Sequence, residues 1–255
     1  MKILEVDNLS KSFGGIKAVD GISFHIDEGE TVGIIGPNGA GKTTVFNLIT
    51  GFYRPQGGSI RYYGKEITNI PPFRLPHLGL SRTFQNLRLF NNLTVFENVL
   101  ASILSKNGYS PFSAIFRTNS YFIIESKAEE KAHNLLDFFQ LSGKEDYPAG
   151  SLPYGEQRKL ELARALSIEP KLLLVDEPGA GMNPKEIQDL VITMEEIKER
   201  FSLTIIIIEH QMGLVMNISN RVMVMDFGGK IMEGAPAEVK KNKRVIEAYL
   251  GQDMA

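Results

Sequence analysis

Residues 36–44 read GPNGAGKTT, which sets three glycines, a lysine and two threonines within nine positions. The spacing satisfies G-x-x-x-x-G-K-[ST], and the glycines let the backbone curl so that successive N–H groups face the α- and β-phosphates of a nucleotide. Lys42 is placed to reach the β- and γ-phosphates, and the Thr43 hydroxyl to complete a Mg²⁺ shell. A helix opening at this point would add the partial positive charge of its N-terminus. A glycine-rich turn with no ligand satisfies the same pattern. The apolar run ETVGIIG before it and the helical pattern after it supply the strand–helix setting that the phosphate reading needs.

Two carboxylates end a second apolar run, KLLLVDEP at 171–178. Strand ends at the carboxyl edge of an open α/β sheet are where ligands bind. There Asp176 would hold Mg²⁺ through water, and Glu177 would orient the attacking water in a phosphoryl transfer that depends on positioning. Two solvated acids in a loop are the plain alternative. Three further polar residues follow expected strands: Gln85 after SRTF, and Glu209 with His210 after LTIIII. A lone histidine is usually structural, but His210 in this place could contact the γ-phosphate.

The elements that must position these groups alternate along the chain. KILEVDNLS, IKAVDGISFHI and SIRYYG read as antiparallel strands, and ETVGIIG, KLLLV and LTIIII as short buried ones. LGLSRTF reads as a strand, 43–50 as a helix ended by Gly51, and a further helix starts at Pro184. From about 94 to 168 the pattern is helical, broken at NGYSPF and YPAGSLPYG. RVMVMDFGGKIMEG forms a hairpin-like pair, and the helix ending VIEAYLG is amphipathic. Apolar strands alternating with helices predict an α/β fold with a parallel sheet flanked by helices. An N-terminal antiparallel β subdomain and an inserted helical subdomain complete the expected architecture.

Composition excludes several classes. At 255 residues, 43% hydrophobic and 23% charged, the chain is ordinary for a globular protein with a proper core. A net charge of −2 with mixed signs gives no nucleic-acid footprint. The absence of cysteine excludes disulfides and thiolate sites. MKILEVDNLSKSF lacks the apolar core of a secretory signal, and runs such as LLLV and IIII are too short to span a bilayer. A soluble cytoplasmic protein is the default expectation.

Taken in order, these motifs resemble an ATP-binding-cassette ATPase over essentially the whole chain. GPNGAGKTT matches the Walker A motif, and LLLVDEP matches Walker B. The resemblance implies that Gly36, Pro37, Asn38, Gly39, Ala40, Gly41, Lys42, Thr43 and Thr44 bind ATP, with Phe13 stacking on adenine. It makes Gln85 the Q-loop residue, a Mg²⁺ ligand beside Thr43 and Asp176, and groups Gln85 and His210 with Glu177 in catalysis. LPYGEQ, comprising Leu152, Pro153, Tyr154, Gly155, Glu156 and Gln157, takes the place of the family's LSGGQ-type signature. RTFQNLRLFNNLTVFENV, YGEQRKLELARAL, DEPGAGMNPKE and VIEAYLG are similar to the ATPase subunit of high-affinity branched-chain amino-acid importers.

That family closes two ATPase subunits head-to-tail over two ATP molecules, each held between one subunit's Walker A and the other's signature. The resemblance therefore implies a second ATPase subunit, identical or paralogous, separate transmembrane permease subunits, and indirectly a substrate-binding protein. It implies no nucleic-acid partner. The chain would be one cassette peripheral to the cytoplasmic face of the membrane and soluble when isolated. The nucleotide-binding core with the β subdomain would span 1–84 and 169–235, the helical subdomain 85–168, and a C-terminal helical extension 236–255.

The chain departs from the family pattern in several places. Pro153 stands where a serine hydroxyl would meet the partner's γ-phosphate, Tyr154 replaces a glycine, and Glu156 replaces a glutamine. The amides of Gly155 and Glu156 are expected to remain available. Asn183 occupies a D-loop position that is often aspartate, and with Pro184 it also reads as an N-cap pair; neither role excludes the other. YSPFSAIFRTNSYF at 109–122 reads as packing rather than a partner-facing loop, and KKNKR at 240–244 as a solvated face. A permease helix would dock in the region after Gln85, where LRLFNNLTVFENV supplies apolar residues either for such a groove or, equally, for the interior. Alternatives are a cassette from another importer or an exporter, or a non-catalytic regulatory module. A chromosome-type ATPase is excluded, since 255 residues leave no room for long coiled-coil arms.

Overall fold

β1 (Lys2–Phe13) and β2 (Ile16–Asp27) run antiparallel, paired from Lys2 opposite Asp27 to Phe13 opposite Ile16 with bulge-like register shifts between those ends. β4 (Gly57–Tyr62) pairs antiparallel with β1, and β5 (Lys65–Glu66) with β4, giving a sheet in the order β2-β1-β4-β5. Ile3, Leu4, Val6, Leu9, Ile22, Ile26 and Ile60 are buried, so hydrophobic positions of these strands supply a core as the sequence pattern requires. The computed structural model describes residues 1–250 except 108 and 110. Gly108 and Ser110 of the expected NGYSPF break therefore lie outside the described residues. So do Gly251, which closes VIEAYLG, and the rest of the expected extension beyond it.

The chain forms two compact units, one from 1–75 with 171–255 and the other from 76–170. In the first unit a second sheet runs in the order β10-β9-β3-β8-β7. β3 (Thr31–Ile35) pairs parallel with both β8 (Thr204–Ile208) and β9 (Arg221–Asp226), and β7 (Leu172–Asp176) pairs parallel with β8. β10 (Gly229–Gly234) turns back antiparallel on β9. Every residue of β3, β7 and β8 is buried, as parallel strands covered on both faces must be. Fully burying each Ile or Leu side chain contributes about 1.5–3 kcal/mol.

Helices α1 (Lys42–Ile49), α6 (Pro184–Phe201) and α7 (Met212–Ile218) belong to this unit. The short α8 (Pro236–Val239) and the C-terminal α9 (Lys243–Leu250) complete it. α6 starts as expected at Pro184. Asn183 Oδ1 accepts from the Lys185 and Glu186 amides, and Glu186 returns a carboxylate oxygen to the Asn183 N–H at 2.8 Å. This capping box satisfies both ends of the turn and gives Asn183 a structural role. Val245 and Tyr249 of α9 join a core cluster containing Ile35, Val215, Val222 and Val224.

The second unit holds the three-residue strand β6 (Leu80–Arg82), shorter than the expected LGLSRTF. Four helices follow: α2 (Val95–Asn107), α3 (Pro111–Phe116), α4 (Asn119–Phe138) and α5 (Tyr154–Ser167). α2 packs on α4 and α5. Val95 and Val99, expected near a permease groove, are fully buried and internal, whereas Phe90 is half exposed. Asn98, also fully buried, grips the preceding loop: its amide donates to Phe90 and Thr94 carbonyls and its oxygen accepts from the Phe90 amide. The packing expected of 109–122 is corrected in part. Tyr109 does meet Tyr121, with ring centroids 4.6 Å apart. Phe112, Ile115 and Phe116 are instead exposed, because a helix of under two turns is too short to bury apolar residues on several faces, and Phe122 in the first turn of α4 is exposed as well. The basic cluster at 240–244 is solvated as expected, its lysines and Arg244 being exposed. Among the described residues no helix is long and apolar enough to cross a membrane.

Candidate active site

The turn between β3 and α1 is shaped by glycine. A Cβ on Gly36 would lie 2.1 Å from the Met225 carbonyl oxygen, and one on Gly41 would lie 2.1 Å from that of Ala18. Both also take left-handed φ values, 151° and 97°, so only glycine fits at either position. The loop therefore wraps against neighbouring backbone with nothing between, while Asn38 and Gly39 at its tip are exposed. α1 opens with no side-chain cap, which leaves its first amides for a ligand.

Lys42 is 7% exposed and folds back over this loop. Its ammonium donates to the carbonyls of Gly36 at 2.6 Å and Pro37 at 2.9 Å. Burial holds its pKa below the ordinary 10.5, opposed by the negative charges of Glu177 and Asp176. A cation held this way is under-compensated, and phosphate oxygens would complete it. Phe13, at the end of β1, is 42% exposed and meets Tyr53 edge-on at 5.1 Å. An aromatic face on the same unit as the loop is suited to stacking a base.

β7 delivers Asp176 nearly buried, at 2% exposure, and then Glu177. Glu177 has a φ of 44°, a strained conformation for a non-glycine residue, held in part by its amide donating to the Ile208 carbonyl at 2.9 Å. His210 follows β8 half exposed, its Nδ1 3.8 Å from Glu177 Oε2, which is proximity rather than a hydrogen bond. Walker A, Asp176, Glu177, His210 and Phe13 all belong to the first unit.

Glu209 proves to be the organiser of this edge, a part that its position in the sequence does not announce. It has no exposed surface. Its Oε1 accepts from the Gly179 amide at 2.7 Å, and its Oε2 from the His210 and Gln211 amides at 3.0 and 3.1 Å. Gln211 Nε2 donates to the Gly179 carbonyl at 2.9 Å. The loop leaving the Asp176–Glu177 pair and the turn carrying His210 are thus bound as one piece. Gln211 carried no signal in the sequence.

The second unit holds Gln85 and residues 152–157. Gln85 is exposed, and its carbonyl accepts from Arg158 Nη2 at 2.9 Å. Arg158, 4% exposed, also donates to the Phe84 carbonyl at 2.9 Å and to Glu161 at 2.7 Å, while Glu161 accepts from the Phe84 amide. Burial pushes the Glu161 carboxyl above its ordinary value against the pull of Arg158. This buried pair fixes the Gln85 backbone to α5, and nothing in the linear sequence pointed to it.

Leu152 is buried, whereas Pro153, Tyr154 and Gly155 are exposed at the start of α5. The expectation of two free amides needs correction. The Glu156 amide donates to the Pro153 carbonyl at 3.0 Å, as does that of Gln157, because Pro153 is the helix N-cap and its carbonyl receives the first turn. Gly155 keeps a free amide among the described residues, and Tyr154, not Glu156, supplies the second. The Gln157 side chain turns back to the Leu152 carbonyl at 2.8 Å.

A lysine pressed onto backbone carbonyls at a strand-to-helix turn, with acids at the carboxyl end of the same sheet, makes this a P-loop nucleotide-binding core. The chain belongs to the ABC transporter family of ATP-binding-cassette ATPases, whose profile matches residues 19–180. Residues 230–255 match a second family, described as branched-chain amino acid ATP-binding cassette transporter. Relatives include the high-affinity branched-chain amino acid transport ATP-binding protein BraF of Pseudomonas aeruginosa, 42% identical over 98% of both chains. LivG of Escherichia coli, with the same description, is 40% identical over 98% of each. A nucleotide-free ATP-binding cassette from an ABC transporter, known from a crystal structure, superposes with a TM-score of 0.84 at 37% identity, over 98% of this chain and 99% of the other.

Proposed function

We propose that this chain is the ATP-hydrolysing subunit that powers uptake of branched-chain amino acids through separate permease subunits. The match to BraF across nearly all of both chains carries the reading, and the match at 230–255 supports it. Lys42 exchanges the Gly36 and Pro37 carbonyls for β- and γ-phosphate oxygens, and the amides of 36–44 cradle the remaining oxygens, with Phe13 against the adenine. Glu177 orients the attacking water and His210 contacts the γ-phosphate, and Gln85 is the third residue assigned to catalysis. Residues 152–157 face the ATP of a second ATPase subunit, identical or paralogous, and closure over nucleotide drives the permeases.

The hard oxygen donors of Thr43, Asp176 and Gln85 fit Mg²⁺. Such an ion would take its remaining oxygens from the phosphates and water. When bound, Mg²⁺ neutralises charge on the β- and γ-phosphate oxygens. In this reading 1–84 and 169–235 are the core with the β subdomain, 85–168 the helical subdomain and 236–255 an extension. The chain works peripherally at the cytoplasmic face of the membrane.

The test is to isolate the native membrane complex, identify its other subunits and measure labelled leucine uptake in vesicles. Uptake that requires ATP and stops with Glu177→Gln is expected. An ATPase rate that survives Glu177→Gln overturns the role given to Glu177, and a complex that moves another class of solute overturns the cargo.

A further inference from the structure

Glu156 puts a carboxylate into the first turn of α5, where the sequence reading places a partner's triphosphate. An acid there suits the helix dipole but repels phosphate. Both Glu156 oxygens lie 2.6 Å from Lys144 Nζ, and Lys144 comes from a separate short turn, residues 142–144. The two side chains are 37% and 29% exposed, so the contact is a weak contributor to stability. Its geometry matters more: one ammonium is shared between both carboxylate oxygens beside the exposed Gly155.

We propose that Lys144 is a positioning residue that neutralises Glu156, so that the free amides of Tyr154 and Gly155 meet a partner's γ-phosphate without a net negative charge behind them. A phosphate at a distance then feels a compact dipole, whose field falls off faster than that of a bare carboxylate. The inference rests on the proposed head-to-tail reading of residues 152–157. It explains how this chain carries glutamate in that turn.

The test uses the full-length chain with Glu177→Gln, so that ATP drives closure without turnover, and reads dimerisation by analytical ultracentrifugation. Lys144→Met should raise the concentration needed for half-dimerisation about tenfold at low salt, an effect of about 1.4 kcal/mol that shrinks as salt rises. The affinity of the monomer for a fluorescent ATP analogue should not change, and Lys144→Arg should behave as the parent. Adding Glu156→Gln to Lys144→Met should restore parental closure. Unchanged dimerisation in Lys144→Met, or a defect that Glu156→Gln fails to rescue, overturns the proposal.

Gly155→Asp separates this from the underlying reading. A Cβ at Gly155 meets nothing within 4 Å, so the substitution adds an unshielded carboxylate without a clash. If Gly155→Asp blocks closure while Lys144→Met does not, shielding alone is wrong. If Gly155→Asp closes normally, this turn does not face phosphate, and the reading falls together with the inference.

Discussion

Replacing Glu209 with alanine removes the acceptor of three backbone amides from a site with no solvent exposure. The bond from Gly179 is fully buried, so its amide is left unsatisfied at about 1.5–3 kcal/mol. The His210 and Gln211 amides are partly buried and can recruit water, at about 0.5–1 kcal/mol each. Relief from burying a carboxylate returns part of this, and a net loss of about 2–4 kcal/mol in urea-unfolding free energy is expected. The turn that holds His210 near Glu177 loosens at the same time, and misplaced catalytic groups lower kcat about ten- to hundredfold. KM for ATP should change little, because the 36–44 loop is untouched. Glu209→Gln keeps one carbonyl acceptor but sets an amide against a donor, so it should fall between. Glu209→Ala with stability within about 0.5 kcal/mol of the parent and unaltered kcat would refute the reasoning.

Other substitutions probe separate features. Lys42→Ala should weaken ATP binding at least about a hundredfold by fluorescence titration, since charge-assisted bonds to phosphate are lost. Pro153→Ser adds a hydroxyl that can accept from the Glu156 amide, leaving those of Tyr154 and Gly155 free, and should raise the unfolding free energy by about 1 kcal/mol. Closed-dimer affinity should barely change if the Tyr154 and Gly155 amides carry the phosphate contact. For Glu30, burial raises the carboxyl, but two 2.8 Å bonds from Arg221, the Asp27 amide and the nearby charge of Arg221 together outweigh it and hold the group below 4.5. The stability from this pair is fully present above pH 4.5 and is lost as pH falls through the depressed value. The gap between parent and Glu30→Gln in urea titrations should therefore close on acidification.

The nucleotide loop was legible because its chemistry is written contiguously. Gly36, Gly41 and Lys42 must be neighbours in sequence for one turn to form, so spacing alone reveals them. Buried parallel strands were legible for a similar reason, since 172–175 and 205–208 read as unbroken apolar runs. What stayed hidden depends on contacts across long separations. Glu209 meets Gly179 across 30 positions, and Glu161 meets Phe84 across 77. No periodicity encodes such pairs. The free amide at Tyr154 was missed because capping depends on which carbonyl the first turn selects. The exposure of Phe112 and Ile115 was missed because apolar composition does not reveal how short a helix is.

These hidden contacts share a logic. In the first unit Glu209 and Gln211 bind the loop after Glu177 to the turn of His210, so the proposed water-orienting acid and its phosphate sensor respond as one body. In the second unit Arg158 and Glu161 bind the Gln85 backbone to the helix that carries Tyr154 and Gly155. Each buried carboxylate spends its oxygens on backbone amides, with Arg158 also paired to Glu161, rather than reaching for a ligand. Residues that look catalytic by type therefore divide by burial. Glu177 and His210 retain exposed surface and can meet substrate, whereas Glu209 and Glu161 are enclosed and set where the others stand. Four separate motifs thereby reduce to two hydrogen-bonded blocks.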